Sequence, residues 1–169
     1  FADTANVNVY GYLNASVDMT NNGKATDSSG TTKVSSNASH IGFKGSEDLG
    51  DGMKAIWQVE SAIAIDGSGT TTASTIPGSA GSTTGSVSAS RNTFIGLGGD
   101  FGTVTVGRQD SPYKVSTRGM DLFGNTLADN RSLMGFGHDA RVTDAIAYTS
   151  PKIADSVTVA VAYVPGAEN

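Results

Sequence analysis

The sequence predicts an all-β chain, an antiparallel meander of about seven strands of the kind that closes into a transmembrane barrel. Three observations carry this reading. Hydrophobicity alternates with period two along several segments. Short turns and long polar loops alternate between those segments. No apolar run approaches the roughly 18 residues that a membrane-crossing helix needs.

Composition agrees. Hydrophobic residues make up 37% of the 169 positions, and there are 22 glycines among many Ser and Thr. Glycine and β-branched residues are poor helix formers, which argues against a helical bundle. Strands of a membrane barrel alternate in polarity, so the chain need not look greasy. Cysteine is absent, which removes disulfides, thiolate metal sites and a Cys nucleophile. The formal charge of -5 disfavours nucleic acid as a partner. No positively charged leader precedes an apolar stretch, so no intact signal peptide is read. Phe1-Ala2 fits either the tail of an Ala-x-Ala cleavage site or a mature start.

The first strand is residues 6–19. Val7, Val9, Gly11, Leu13, Ala15, Val17 and Met19 lie on one face, and Asn8, Tyr10, Tyr12, Asn14, Ser16 and Asp18 on the other. About 10 tilted residues suffice to cross a bilayer. Residues 20–37 are polar, with Asn21-Asn22-Gly23 and Ser28-Ser29-Gly30, and read as a loop. Residues 39–45 form the second strand, with Ile41 and Phe43 opposite His40, Gly42 and Lys44; Glu47-Asp48-Leu49-Gly50-Asp51-Gly52 reads as a tight turn. The third strand, 53–65, turns Met53, Ala55, Trp57, Val59, Ile63 and Ile65 outward and Lys54, Gln58 and Glu60 the other way. Residues 66–90 are low-complexity Gly, Ser, Thr and Ala, a long loop. Strands at 91–97 and 103–108 make a hairpin around 98–102. Residues 109–139 carry mixed charge with no clear period. Strands at 141–149 and 156–164 make the last hairpin through Ser150-Pro151-Lys152. The polar faces are small and hydrophilic, whereas a soluble sandwich, the competing fold, would place more Leu, Ile and Phe there.

Several segments, in this order, resemble the general porins of Gram-negative bacteria, in particular the β-proteobacterial and neisserial type. They are Val9-Tyr10-Gly11, Ile41-Gly42-Phe43-Lys44-Gly45 with Glu47-Asp48-Leu49-Gly50, and Lys54-Ala55-Ile56-Trp57-Gln58-Val59-Glu60. They continue with Phe94-Ile95-Gly96-Leu97, Phe101-Gly102-Thr103-Val104, Val106-Gly107-Arg108 and Ala147-Tyr148-Thr149-Ser150-Pro151. The resemblance covers nearly the whole chain, so residues 1–169 read as the N-terminal part of one porin barrel. It implies a sixteen-stranded barrel in the bacterial outer membrane, assembled as a homotrimer, passing ions and small hydrophilic solutes, with outer-membrane lipid around it. It implies no enzyme activity, no cofactor and no metal. On the same mapping, 109–139 is a constriction loop folded into the lumen, and 66–90 occupies the position that reaches toward a neighbouring subunit in many relatives.

Seven strands and the ending Gly166-Ala167-Glu168-Asn169 depart from the family, whose barrels have an even strand count and end on a strand with a terminal aromatic. An open sheet in lipid leaves unsatisfied edge groups. The expectation is therefore a fragment, or one piece of a nicked barrel, that does not insert as a closed pore alone.

A pore needs a water-filled cross-section and a field that sorts solutes. By family position, a basic wall maps to His40, Arg91 and Arg141, with Lys44 on the same polar face as His40. Relatives usually carry Arg where this chain has His40. The loop acids map to Asp110, Asp121 and Asp129, and Glu60 is a further lumen-side carboxylate. Lys114, Arg118, Arg131 and Asp129 also read as ordinary solvated charges. Arg91 and Arg141 sit at strand ends beside long loops, where an Arg turned toward lipid would be costly. Trp57, Phe43, Tyr148 and Tyr163 read as outward girdle aromatics, and His138 as a solvated side chain. Residues 96–102 miss the dinucleotide fingerprint spacing and precede a strand. No hydrolase elbow or paired-His motif is present. A surface adhesin is the rival function; it accounts for the Ser/Thr/Gly loops and the acidity, but not for the ordered porin-like segments.

Overall fold

A computed structural model describes residues 6–20, 30–66, 90–125, 129 and 139–165. Its strands are β1 (Asn6–Tyr12), β2 (Ala15–Thr20), β3 (Thr31–Ser36), β4 (His40–Gly50), β5 (Met53–Ala62), β6 (Thr93–Gly99), β7 (Gly102–Asp110), β8 (Arg141–Thr149) and β9 (Ala160–Tyr163). A short helix α1 (Pro112–Thr117) and one 3-10 turn (Arg118–Met120) follow β7. Seven strands pair in one sheet in the order β1-β4-β5-β6-β7-β8-β9, and β2 and β3 make a separate ribbon. All pairs are antiparallel.

The register turns alternation into two faces. One cross-strand row runs Val7, Gly45, Trp57, Ile95, Val106, Ile146, Tyr163 through all seven strands. The next row, on the opposite face, runs Ser46, Ile56, Gly96, Thr105, Ala147, Ala162. The apolar row is bare: Ile95 is 65% exposed and Val7 55%. Among the described residues, Ala145 is the one buried hydrophobic side chain, while Ser39, Glu60, Thr105 and Gln109 are buried polar ones. A soluble sandwich would do the reverse. A continuous bare apolar face calls for apolar surroundings. No described helix is long and apolar enough to cross a membrane.

The expected strands are present with shifted bounds. Residues 6–19 break at Leu13-Asn14, where Ser39 Oγ accepts from Asn14 N–H (2.9 Å) and donates to Asn14 O (3.0 Å). The expected loop 20–37 contains β3, whose Val34 and Lys33 pair with Val17 and Asp18; polar composition concealed a β-branched alternation. The expected turn at 47–52 is mostly strand. β4 continues through a bulge to Gly50, and only Asp51 (φ 50°) and Gly52 (φ 76°) turn. Positive φ at both central residues matches the twist of a tight hairpin. β9 is shorter than expected, because Ala154 and Asp155 form an extra turn bridged by Ile153 and Val157.

The connections after β5 and β7 are the long ones, and both leave the end of the sheet at which the β2–β3 ribbon joins β1 to β4. Apart from residues 66 and 90, the expected 66–90 loop lies outside the described residues, as do Arg131 and His138.

Candidate functional site

The polar face carries a dense group of charges at the long-loop end. Tyr10, Gly42 and Glu60 share one cross-strand row. Gly42 matters here because a Cβ would collide with the Tyr10 ring. Without one, Tyr10 reaches across β4 and donates its hydroxyl to Glu60 Oε2 (2.8 Å). Arg91 Nε donates to Glu60 Oε1. His40 Nε2 lies 3.8 Å from Glu60 Oε2, and its Nδ1 is 2.8 Å from Ala38 O. Ala38 has a positive φ of 57°, which bends the chain at the break before β4. The rings of Tyr10 and Tyr12 lie about 6 Å from the imidazole.

A second cluster lies beside the first. The bulge between Gly107 and Gln109 brings Asp110 opposite Arg141. Asp110 Oδ1 is 3.1 Å from Arg141 Nη2, and Asn92 closes a ring: its amide donates to Asp110 Oδ2 (3.0 Å), and its carbonyl accepts from Arg141 Nε (2.6 Å). Buried charges persist only when paired and hydrogen-bonded in this manner.

The segment after β7 then folds against this wall. Ser111 caps α1 by accepting from Lys114 N–H (3.2 Å), with Pro112 in the first turn, where its missing N–H costs nothing. Arg118 bonds Asp110 Oδ2, and Lys114 Nζ lies 3.2 Å from Asp139 Oδ1. Asp121 accepts from Phe123 N–H (3.0 Å) in a local turn.

Between wall and segment lies a polar cavity of about 350 Å³. Arg91, Lys114, Arg118 and Arg141 line it with Glu60, Asp110, Asp121 and Asp139, four bases against four acids, together with His40 and Asn92. Of the residues singled out in the sequence, His40, Arg91, Arg141, Asp110 and Asp121 meet in this cavity. Lys44 does not line it; its ammonium sits 5.2 Å from the Tyr10 ring centroid. Asp129 does not line it but is buried beside the lining residue Asn125, accepting from its N–H (2.7 Å). Asp110 needs correcting: it is the last residue of β7 and belongs to the wall, because the strand continues past the bulge that ended the visible alternation. Glu60 and Asp110 stand among the wall arginines, and the segment contributes Lys114 and Arg118. Asn92 and Asp139 were missed altogether. Asn92 carries no charge, and only the β6–β7 register sets it beside Asp110.

Comparison with known proteins decides the family. The family model described as Gram-negative porin matches residues 1–169. This chain belongs to the Gram-negative porins. It is 39% identical over 118 residues to the major outer membrane protein P.IB of Neisseria meningitidis, covering 67% of this chain and 31% of that protein. It is 35% identical over 123 residues to the P.IA protein of the same species, covering 72% and 27%. The chain thus spans about a third of the length of these porins. Among solved structures it superposes on the anion-selective porin from Comamonas acidovorans with a TM-score of 0.66 at 22% identity, covering 89% of this chain and 44% of that one. It also superposes on OmpT of Vibrio cholerae in its trimer form, at 0.58 and 18%, covering 96% and 42%. At these identities the structural likeness concerns the fold. The family places the porin in the outer membrane.

Proposed function

We propose that this porin chain forms part of a passive, water-filled channel for ions and small hydrophilic solutes, with no enzymatic step. The observation that carries the reading is the charged cavity at the long-loop end, on the face opposite the bare apolar row. Water-filled pores sort solutes by rings of charge at a narrowing. Residues 109–139 act as the constriction segment, and His40, Arg91 and Arg141 with Glu60 and Asp110 form the wall that it faces. Lys44, nearer the middle of β4, belongs to the approach to that narrowing. Asp121 is the segment acid exposed to passing solute, and Asp129 stiffens the segment from within. A homotrimer is the assembly that fits this reading, in keeping with the trimer form named for the Vibrio cholerae neighbour.

The test is deletion within residues 115–125 of the full-length protein. Single-channel conductance and the solute size limit should both rise. Unchanged conductance means that the segment lies outside the pore.

A further inference from the structure

We infer that Asp110 is the positioning residue that fixes the segment after β7 against the wall, and that Arg118 is the latch it holds. The carboxylate is an unusual acceptor for a channel surface, since its side chain is only 4% exposed. Two of its contacts belong to the wall. Asn92 donates to Oδ2, and Arg141 approaches Oδ1 while donating its own Nε to the Asn92 carbonyl. That closed ring sets the direction of the carboxylate whether or not the segment is in place. The third contact, from Arg118, is the only one of these that comes from the segment.

The intervening residues are suited to return a side chain to that point. Ser111 N–H donates to Ala140 O (3.0 Å), which pins the start of the segment to its far end just before β8. The Ser111 cap and Pro112 then start a helix of six residues, and Arg118 follows at its C-terminal cap. Helical geometry gives a fixed spacer, so Arg118 comes back over the strand end it left. Lys114, four residues before Arg118 and so on the same face of the helix, pairs with Asp139. Arg118 itself is 62% exposed, so it sits at the water-facing edge of the contact. A preformed acceptor inside and an exposed donor outside make a latch that can open without unmaking the wall.

The contact also fixes what neutralising either partner does. Removing Arg118 leaves the Asp110–Asn92–Arg141 ring whole and frees only the segment. Removing the Asp110 charge frees the segment and also leaves Arg141 without its carboxylate.

The inference rests on the constriction reading for its effect on current, but not for its effect on the position of the segment. The chain contains no cysteine, and Met120 is 73% exposed in the 3-10 turn directly after Arg118. Met120→Cys in the full-length protein, with any cysteine outside these residues replaced by serine, takes a nitroxide label for electron paramagnetic resonance. Arg118→Gln, Arg118→Lys and Asp110→Asn are compared in lipid, each checked for a folded barrel by migration in unboiled SDS. The label should move faster in Arg118→Gln and Asp110→Asn than in the parent, no faster in the double variant, and partly slower again in Arg118→Lys. A label as immobile in Arg118→Gln as in the parent overturns the latch, whatever the current does. If Asp110→Asn fails to fold, the exposed Arg118→Gln decides alone. A mobile label with unchanged conductance upholds the latch and removes the constriction reading instead.

Discussion

The outward row from Val7 to Tyr163 and the inward cluster from Tyr10 to Arg141 lie on opposite sides of one sheet, yet different physics holds each in place. The outward side chains make shallow apolar contacts with their neighbours, and five of the six leave close to half or more of their area bare. Their stability comes from the medium, because an apolar side chain in hydrocarbon needs no partner. The inward cluster is held by partners: Glu60 is shared by Tyr10, Arg91 and His40, and Asp110 by Asn92, Arg118 and Arg141. A change on the first face should therefore matter through what lipid tolerates. A change on the second should matter through which bond is lost.

The largest effect expected from this difference is a charge on the lipid side. Ile95→Arg, in the middle of β6, should cost about 2–4 kcal/mol of folding free energy in bilayers. Ser46→Arg, on the opposite face of β4, should be nearly neutral, since its guanidinium reaches water. Denaturant titrations of folding into vesicles compare the two. Equal tolerance at both sites would falsify the assignment of faces.

Two glycines sharpen the comparison with a smaller effect. Each lies under an aromatic ring: Gly42 under Tyr10 on the inward face, and Gly45 under Trp57 on the outward face, where a Cβ would come within 2.7 Å of the indole. Either Gly→Ala change overpacks its site, at about 1–3 kcal/mol. The consequences for function should differ. Gly42→Ala drives Tyr10 away from Glu60 and should alter ion selectivity, whereas Gly45→Ala moves only an outward ring and should leave it unchanged. Reversal potentials in a salt gradient read this directly. A selectivity change in Gly45→Ala, or none in Gly42→Ala, breaks the separation of the faces.

The same contrast explains what could be read from the sequence. The outward face was legible because lipid acts on every residue alike, so period two alone reveals it: Val7, Val9, Ile41 and Trp57 stand where alternation puts them. β3 was hidden because its sequence is Thr-Thr-Lys-Val-Ser-Ser, with Val34 its one aliphatic residue, and polar strands leave little trace in hydropathy. The inward cluster was legible only in part. Family position put His40, Arg91 and Arg141 together, but the partners depend on register and bulges that no local pattern carries. Asp110 passed for a loop residue because the bulge after Gly107 interrupts the alternation before the strand ends. Arg118 passed for a solvated charge, and 62% exposure makes that description half right.

The smallest effect concerns a single charge in the inward cluster. His40 turns Nε2 toward Glu60 and Nδ1 toward Ala38 O, with the Tyr10 and Tyr12 rings beside the imidazole. Around the described cavity the Arg and Lys side chains balance the Asp and Glu side chains, four against four. A guanidinium at position 40 keeps its charge and adds one net positive charge there. The sign follows: His40→Arg should move the reversal potential toward anion selectivity relative to His40→Gln, which carries no charge. Since Glu60 is already shared with Arg91, the added charge is only partly cancelled by its neighbour, and the field it adds reaches the solute path. Equal reversal potentials in His40→Arg and His40→Gln mean that position 40 lies off that path and that His40 serves only to pack Tyr10 and Tyr12.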